Sequence, residues 1–146
     1  MYVLCLYIGR LSLAFSNLSN DANSREIISK FRHTAKELDL SNNSLMYGKN
    51  NNLMYLYFFY RDVDFLSGFY QLHTLILDNN QISSTSNFPR LPKLTALYVN
   101  CNLVTVLEPF IEKIKNFFPS LQYLSLLGNE ACPAFTKGPH HYYNYR

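Results

Sequence analysis

The sequence predicts an α/β fold in which short parallel strands and their return segments stack into a solenoid with a parallel concave sheet. Three observations support this prediction. An 11-residue pattern of apolar residues and one asparagine occurs four times. Its copies follow one another at spacings of 22 to 37 residues. The segments on either side of the copies have features expected of end caps.

The repeated pattern reads L-x-x-L-x-L-x-x-N-x-φ, where φ is an apolar residue. Its copies are 35–45, 72–82, 94–104 and 121–131, with Ala35 replacing the first leucine of its copy. This is the signature of a leucine-rich repeat, in which x-L-x-L-x forms a strand beside the same strand of the next repeat. We expect the paired leucines to enter a shared core, each contributing roughly 1.5–3 kcal/mol when buried.

The asparagine of each copy lies where the chain turns inward. Its side-chain amide carries donors and an acceptor, so it can satisfy peptide groups that have no strand partner. The sequence therefore predicts a structural asparagine ladder formed by Asn43, Asn80, Asn102 and Asn129.

The return segments differ in length. Leu97 and Leu124 are 27 residues apart, and a helix is predicted from about Pro109 to Phe117. Proline suits a first helical turn, and Ile111 and Ile114 fall on one face, which we expect to pack on the core.

A longer spacing marks an insert at 47–61. Leu38 and Leu75 are 37 residues apart, some 15 more than the 22 that separate Leu75 from Leu97. The insert is rich in Asn, Tyr, Phe, Leu and Lys, whose codons are AT-rich. One interpretation is translated intron sequence or a gene-model error, which sequencing the transcript would settle. The alternative is a protruding, aromatic-rich binding loop.

The segment before the repeats is predicted to form an N-terminal cap. "LCLYIGRLSL" reads as one additional, degenerate strand. A helix is expected from about Ser24 to Arg32, with Asn23 as N-cap and Glu26 completing a capping box. The apolar run near the start is not a convincing signal peptide, because it lacks a positive region before it and is broken by Gly9 and Arg10.

The segment after the repeats resembles the beginning of a cap found in intracellular leucine-rich-repeat proteins. The resemblance rests on "GNEACP" and the tyrosine-arginine end, and the sequence stops at Arg146 before the strand that closes such caps. The expected organisation is a strand and helical cap, four repeats and an incomplete cap: 1–34, 35–131 and 132–146.

Composition limits the partners and the cellular location that can be expected of the protein. A net charge of +3 with scattered basic residues gives no reason to expect nucleic-acid binding. Its three cysteines, Cys5, Cys101 and Cys132, form no C-x-x-C. Secreted leucine-rich-repeat proteins carry cysteine-rich caps, so a reducing, cytoplasmic location is expected. The apolar run 53–60 is too short to cross a bilayer, which needs about 20 residues, and no transmembrane segment is predicted.

Motifs for catalysis are missing from the sequence. There is no phosphate-binding glycine loop, H-E-x-x-H, G-x-S-x-G or EF-hand loop. The sequence therefore predicts a protein that is not an enzyme and needs neither a cofactor nor a metal.

The remaining function is binding through the concave sheet. Its centre is predicted to be apolar and aromatic with an acidic rim, which is the composition of a protein-binding hot spot. The residues assigned to this partner-binding face are Asp39, Ile76, Asp78, Tyr98, Asn100, Tyr123 and Leu127.

The stretch 76–133, and "YLSLLGNEACP" within it most specifically, resembles the family of leucine-rich melanocyte differentiation-associated proteins. "LYIGRL" and "KELDLSNNSL" also fit that family, whereas the insert and the end at Arg146 depart from it. The resemblance implies a non-enzymatic intracellular adaptor in melanocyte differentiation and the biogenesis of lysosome-related organelles. Its partner would be a Rab-type small GTPase, and it would reach organelle membranes through that partner.

Two other interpretations stay open at this point. The spliceosomal A-prime class of leucine-rich-repeat proteins shares the repeat length and cap, and implies a nuclear location and an RNA-binding protein as partner. No basic nuclear-targeting run is visible in the sequence. A purely structural fragment without a working surface is the third interpretation. The oligomeric state is open, because an uncapped end can pair with another copy.

Overall fold

The structure is a computed structural model that describes residues 5–7, 9–16, 18, 22–43 and 63–132, with the backbone alone for 5–7, 22, 24 and 64. These ranges contain short strands, two α-helices and a 3-10 turn at Asp64–Leu66. The strands are β1 Cys5–Tyr7, β2 Arg10–Ser12, β3 Glu37–Asp39, β4 Thr74–Ile76, β5 Ala96–Tyr98 and β6 Tyr123–Ser125. The helices are α1 Ala22–Ser29 and α2 Leu107–Phe117.

The strands form one sheet in chain order, β1 to β6. Strands β2 to β6 are parallel, and β1 is antiparallel to β2. The fold is therefore α/β with a five-stranded parallel sheet. The central leucines of the strands lie directly opposite one another: Leu11, Leu38, Leu75, Leu97 and Leu124.

The prediction of one degenerate strand before α1 is wrong in number. Two strands are present, and Gly9 between them has a φ of +82°, a conformation that glycine adopts without steric cost. We call each parallel strand, together with the segment that returns to the next strand, a coil. Strand β2 belongs to a coil that precedes the four predicted repeats, because Leu11 is 1% and Leu13 0% exposed. The amide of Leu13 donates to the Asp39 carbonyl, as the amide of Leu40 does to the Ile76 carbonyl.

A left-handed residue follows each parallel strand and turns the chain off the sheet. Positive φ values between 52° and 77° occur at Phe15, Asn42, Asn79, Cys101 and Gly128. Four of the five directly precede the asparagine of a repeat. Glycine and asparagine tolerate this conformation, whereas phenylalanine and cysteine adopt it at a steric cost.

The core lies behind the sheet. The paired apolar residues of the middle coils are fully buried: Leu38, Leu40, Leu75, Leu77, Leu97 and Val99. On the far side, Phe88 makes edge-to-face contacts with Phe110 and Phe118, with ring centroids 6.1 and 5.4 Å apart. Such pairs contribute about 0.5–1.5 kcal/mol beyond their buried area. The rings therefore fix α2 against the preceding coil.

Helix α1 differs from its prediction at both ends. It covers Ala22–Ser29, so Asn23 lies inside the helix and is not its N-cap. Glu26 forms an i,i+4 ion pair with Lys30 at 3.4 Å. The helix ends early because the Phe31 amide donates to the Ile28 carbonyl three residues before it, which tightens the last turn.

Helix α2 begins two residues before the predicted start and ends at Phe117 as expected. Pro109 is thus its third residue, which costs nothing because the first four amides of a helix have no partner within it. The buried residues of the helix are Phe110 and Ile114, whereas Ile111 is half-buried. Phe110 and Ile114 are four residues apart and define the core-facing side of the helix.

Two parts of the predicted organisation lie outside the described residues. They are the insert at 47–61 and, after Cys132, the incomplete C-terminal cap. The domain boundaries remain predictions.

Replacing Cys101 with asparagine is expected to stabilise the protein. The backbone at this position has a φ of 52° and the side chain is exposed, so the change relieves backbone strain without disturbing the core. The gain in the free energy of unfolding should be about 0.5–1 kcal/mol, part of the cost of a left-handed residue. Urea unfolding followed by circular dichroism measures it. The matched control is Cys101→Ser, which keeps the strain; equal stabilisation by both variants would contradict this account.

Candidate protein-binding face

The exposed face of the parallel sheet has its residues in aligned columns. Strand pairing sets Glu37, Thr74, Ala96 and Tyr123 in one column and Asp39, Ile76, Tyr98 and Ser125 in the next. Side chains of a strand alternate between its two faces, so these columns face away from the leucine core. Four of the seven residues assigned to the partner-binding face from sequence lie in these columns: Asp39, Ile76, Tyr98 and Tyr123.

The apolar part of this face is centred on two tyrosines. The rings of Tyr98 and Tyr123 are in contact, with centroids 5.1 Å apart and planes tilted by 44°. Tyr123 is 51% exposed and Tyr98 is half-buried. Ile76 stands opposite Tyr98 on the neighbouring strand and is also half-buried. These three residues form a contiguous apolar surface, which we call the tyrosine patch.

Leu127 belongs to the same face but lies beyond the end of β6. It is 45% exposed, and its amide donates to the Oδ1 of Asn100 at 2.8 Å. That bond places Leu127 beside the turn that follows β5. The apolar surface of the face therefore has two parts, the tyrosine patch and Leu127.

Asp39 holds the turn after its own strand. Its Oδ1 accepts hydrogen bonds from the amide and hydroxyl of Ser41, and its Oδ2 accepts one from the hydroxyl of Ser12. A carboxylate can accept about four hydrogen bonds, so the charge keeps some capacity for a partner. Its position is nevertheless set by the fold.

Asp78 and Asn100 form a second internal network. The amide of Asn100 donates to Asp78 Oδ1 at 2.7 Å, and its Nδ2 donates to Asp78 Oδ2 at 3.1 Å. The Oδ1 of Asn100 in turn accepts from the Ser125 hydroxyl at 2.6 Å. These bonds cross three successive coils. Asn100 therefore has a structural role that the sequence analysis did not assign to it.

The four repeat asparagines share one bonding arrangement. Each donates from Nδ2 to a backbone carbonyl of the preceding coil, and the acceptors are Leu13, Leu40, Leu77 and Val99 for Asn43, Asn80, Asn102 and Asn129. The distances run from 2.8 to 3.0 Å.

The acceptor atom of the same side chain completes the arrangement. Asn102 Oδ1 accepts from the Ile82 amide at 2.9 Å, and Asn129 Oδ1 accepts from the Val104 amide at 3.0 Å. Asn43 does the same for Leu18 at 2.8 Å. These bonds join one coil to the one before it, and Nδ2 also donates to a carbonyl of its own coil, so each amide links two coils where strand pairing has ended.

One structural contact was missed by sequence reasoning. The hydroxyl of Ser84 accepts hydrogen bonds from the amides of Thr105 and Val106, both at 2.9 Å. These amides stand just before α2, whose N-cap Val106 has no side-chain bond of its own. The serine-rich return segment around Ser84 is the only sequence feature that points to such a contact. The partner residue Thr105 cannot be identified from it, because it lies 21 residues away in the chain.

The part of the chain that the structure describes contains no group of three or more His, Cys, Asp or Glu side chains placed to hold a metal ion. A surface cleft with a volume of about 370 Å³ lies at the N-terminal ends of β2 to β4. Neither described helix has the length and apolar character that crossing a membrane requires.

A comparison with curated proteins finds the human leucine-rich melanocyte differentiation-associated protein. It is 47% identical over 73 residues, which are 50% of this chain and 37% of the relative. The match therefore spans little more than a third of the relative's length. No family model matches the chain, and no solved structure matches it.

Removing one ladder amide is expected to destabilise the fold strongly. Asn102→Ala leaves the Ile82 amide without its acceptor and removes one of the two side-chain donors of the Leu77 carbonyl, the other being Asn80 Nδ2; these bonds are buried. The loss in the free energy of unfolding should be about 1–3 kcal/mol. Urea unfolding measures it. Asn116→Ala, at an exposed position of α2, is the control and should change stability by less than about 0.5 kcal/mol. A cost below 1 kcal/mol for Asn102→Ala would contradict the structural role of the amide.

Proposed function

We propose that this chain is a leucine-rich-repeat solenoid whose concave face binds a partner protein. Repetition of three separate features supports the solenoid: strand register, the left-handed residue after the strand, and the asparagine bonds between coils. Each coil then contacts mainly its neighbours, as in other repeat proteins.

The tyrosine patch is the observation that carries the binding proposal. Tyrosine is enriched in binding hot spots because it offers a large, rigid contact area with one polar group. The Tyr98–Tyr123 pair is already ordered by ring contact, so little side-chain entropy is lost when a partner covers it. Half of the Tyr123 surface remains open to such a contact.

The acidic residues beside the tyrosine patch are expected to orient a bound partner. Asp39 and Asp78 are each held by hydrogen bonds within the fold. A charge in a fixed position steers encounter and excludes partners of the wrong charge more than it adds affinity. A partner with an apolar centre and a basic margin fits this arrangement.

The partner class in this proposal is a Rab-type small GTPase, and the cellular role is that of an adaptor in melanocyte differentiation. The name of the similar human protein supports the role in melanocyte differentiation, and the family resemblance of residues 76–133 is the basis for the partner class. We further propose that the protein works in the cytoplasm, reaches organelle membranes through its partner and is not an enzyme.

An affinity pull-down tests the binding face. The bait is this chain, and the variant is Ile76→Asp/Tyr98→Asp, which places two carboxylates within the apolar surface. We expect small GTPases or vesicle-trafficking proteins to be retained by the parent chain and reduced about tenfold or more in the variant, since a desolvated hot-spot residue contributes 2 kcal/mol or more. Quantitative mass spectrometry of the retained proteins measures the loss.

The matched control is Leu103→Asp/Val106→Asp. It makes the same apolar-to-acidic change at two exposed positions outside the sheet. Circular dichroism must show all three proteins to be folded. Retention of the same proteins by every variant would contradict the concave site. Retention of spliceosomal proteins would instead favour a function like that of the A-prime class.

A further inference from the structure

Charge is distributed unevenly between the two edges of the parallel sheet. Because β2 to β6 run in the same direction, the residues that precede or open the strands share one edge. Basic side chains occupy this edge at Arg10, Lys36, His73 and Lys93. We call it the N-terminal edge. Asp39 and the residues after it belong to the opposite edge.

The cleft at the N-terminal ends of β2 to β4 lies on the N-terminal edge. Its volume is about 370 Å³, which admits several side-chain groups of a bound segment. It is lined by Gly9, Arg10, Lys36, Glu37, His73 and Thr74. The lining thus combines two permanent cations and a histidine with a single carboxylate.

That carboxylate is already engaged. Glu37 Oε1 lies 3.0 Å from Arg10 Nε across the β2–β3 pair. Among the described residues, the Lys36 amine and the His73 ring form no hydrogen bond or ion pair with another side chain. The cleft therefore has an unneutralised positive charge at Lys36, beside the ring of His73.

The backbone beneath Lys36 keeps its side chain over the cleft. Gly9 has no Cβ, and a Cβ at that position would stand 3.3 Å from the Lys36 Cγ. The amides of Lys36 and Glu37 both donate to the Gly9 carbonyl, at 2.7 and 3.0 Å. The aliphatic part of the Lys36 side chain thus packs on the turn at Gly9, which these hydrogen bonds hold in place.

We propose that the cleft at the N-terminal edge binds an acidic peptide segment of a protein partner. A glutamate or aspartate side chain can enter the cleft, where Lys36 supplies the unpaired cation and Arg10, paired with Glu37 through Nε, still has other N–H donors. The backbone of the segment would follow the edge towards Lys93, which stands before β5 and donates to Gln71 Oε1 at 2.8 Å.

The mixed charge of the site favours a peptide over an anionic membrane. The Glu37 carboxylate stands beside the cations. An anionic bilayer would bring its headgroups against that carboxylate as well as against the cations. A flexible acidic segment can place its carboxylates on Lys36 and Arg10 and direct its backbone past Glu37.

This site is separate from the tyrosine patch and adds a second contact for a partner of the proposed function. It can be tested without that function. The probes are a fluorescein-labelled peptide of six glutamates and its six-glutamine counterpart, titrated with the purified chain at low salt. We expect the glutamate peptide to raise the fluorescence anisotropy, the glutamine peptide to leave it unchanged, and salt at about 0.5 M to abolish the signal.

Two charge reversals locate the site. Lys36→Glu should weaken binding of the glutamate peptide by about tenfold or more, whereas Lys115→Glu, an exposed lysine in the last turn of α2, should change it by less than about twofold. Ile76→Asp/Tyr98→Asp should keep most of the peptide affinity, so failure of the concave site would not be mistaken for failure of this one.

Several outcomes would overturn the proposal. Absence of binding by the glutamate peptide is one, and an equal loss from Lys36→Glu and Lys115→Glu is another, because it would reflect net charge alone. Vesicles containing phosphatidylserine provide the third arm. If the parent chain binds these vesicles, Lys36→Glu abolishes that binding and the glutamate peptide does not bind, the cleft is a site for a membrane surface.

Discussion

The rest of the structure depends on how the chain leaves the sheet at the end of each short strand. Strand pairing stops after three residues, and the backbone groups beyond it must find partners in a buried turn. The repeat asparagines supply these partners, as Asn102 does for Leu77 and Ile82. Since each asparagine bonds both to its own coil and to the preceding one, the same side chain satisfies the turn and sets the stacking of one coil on the next.

Regular stacking has a consequence for function. When coils repeat with one register, side chains such as Ile76, Tyr98 and Tyr123 come together although they are far apart in the chain. Internal hydrogen bonds then divide the face into two kinds of residue. Asn100 links Asp78 to the next coil, whereas the tyrosine rings have no comparable structural bond among the described residues. Binding is therefore expected to depend on the rings, with the carboxylates fixing orientation.

Much of this fold could be predicted from sequence because the pattern reports buried positions directly. The leucines and asparagines of the repeats recur at fixed offsets, so their strands and columns follow. The first coil is recognisable in the sequence only as a degenerate strand, because Ser16 stands where the other copies have asparagine. The start of α1 was misplaced because Asn23 matches a capping pattern, which is local and does not determine where a helix begins. The bonds of Asp78 and Ser84 depend on contacts between distant segments, which no local pattern contains.

The central claim is that the tyrosine patch of the stacked sheet contacts a partner protein. Site-specific photo-crosslinking in cells tests it most directly, with p-benzoylphenylalanine replacing Tyr98 in one version and Val106 in another. The first replaces one aromatic ring with another, and the second lies at an exposed position outside the sheet. We expect a discrete crosslinked protein at position 98 that is absent at position 106. Identical products at both positions, or a product at position 106 alone, would contradict it.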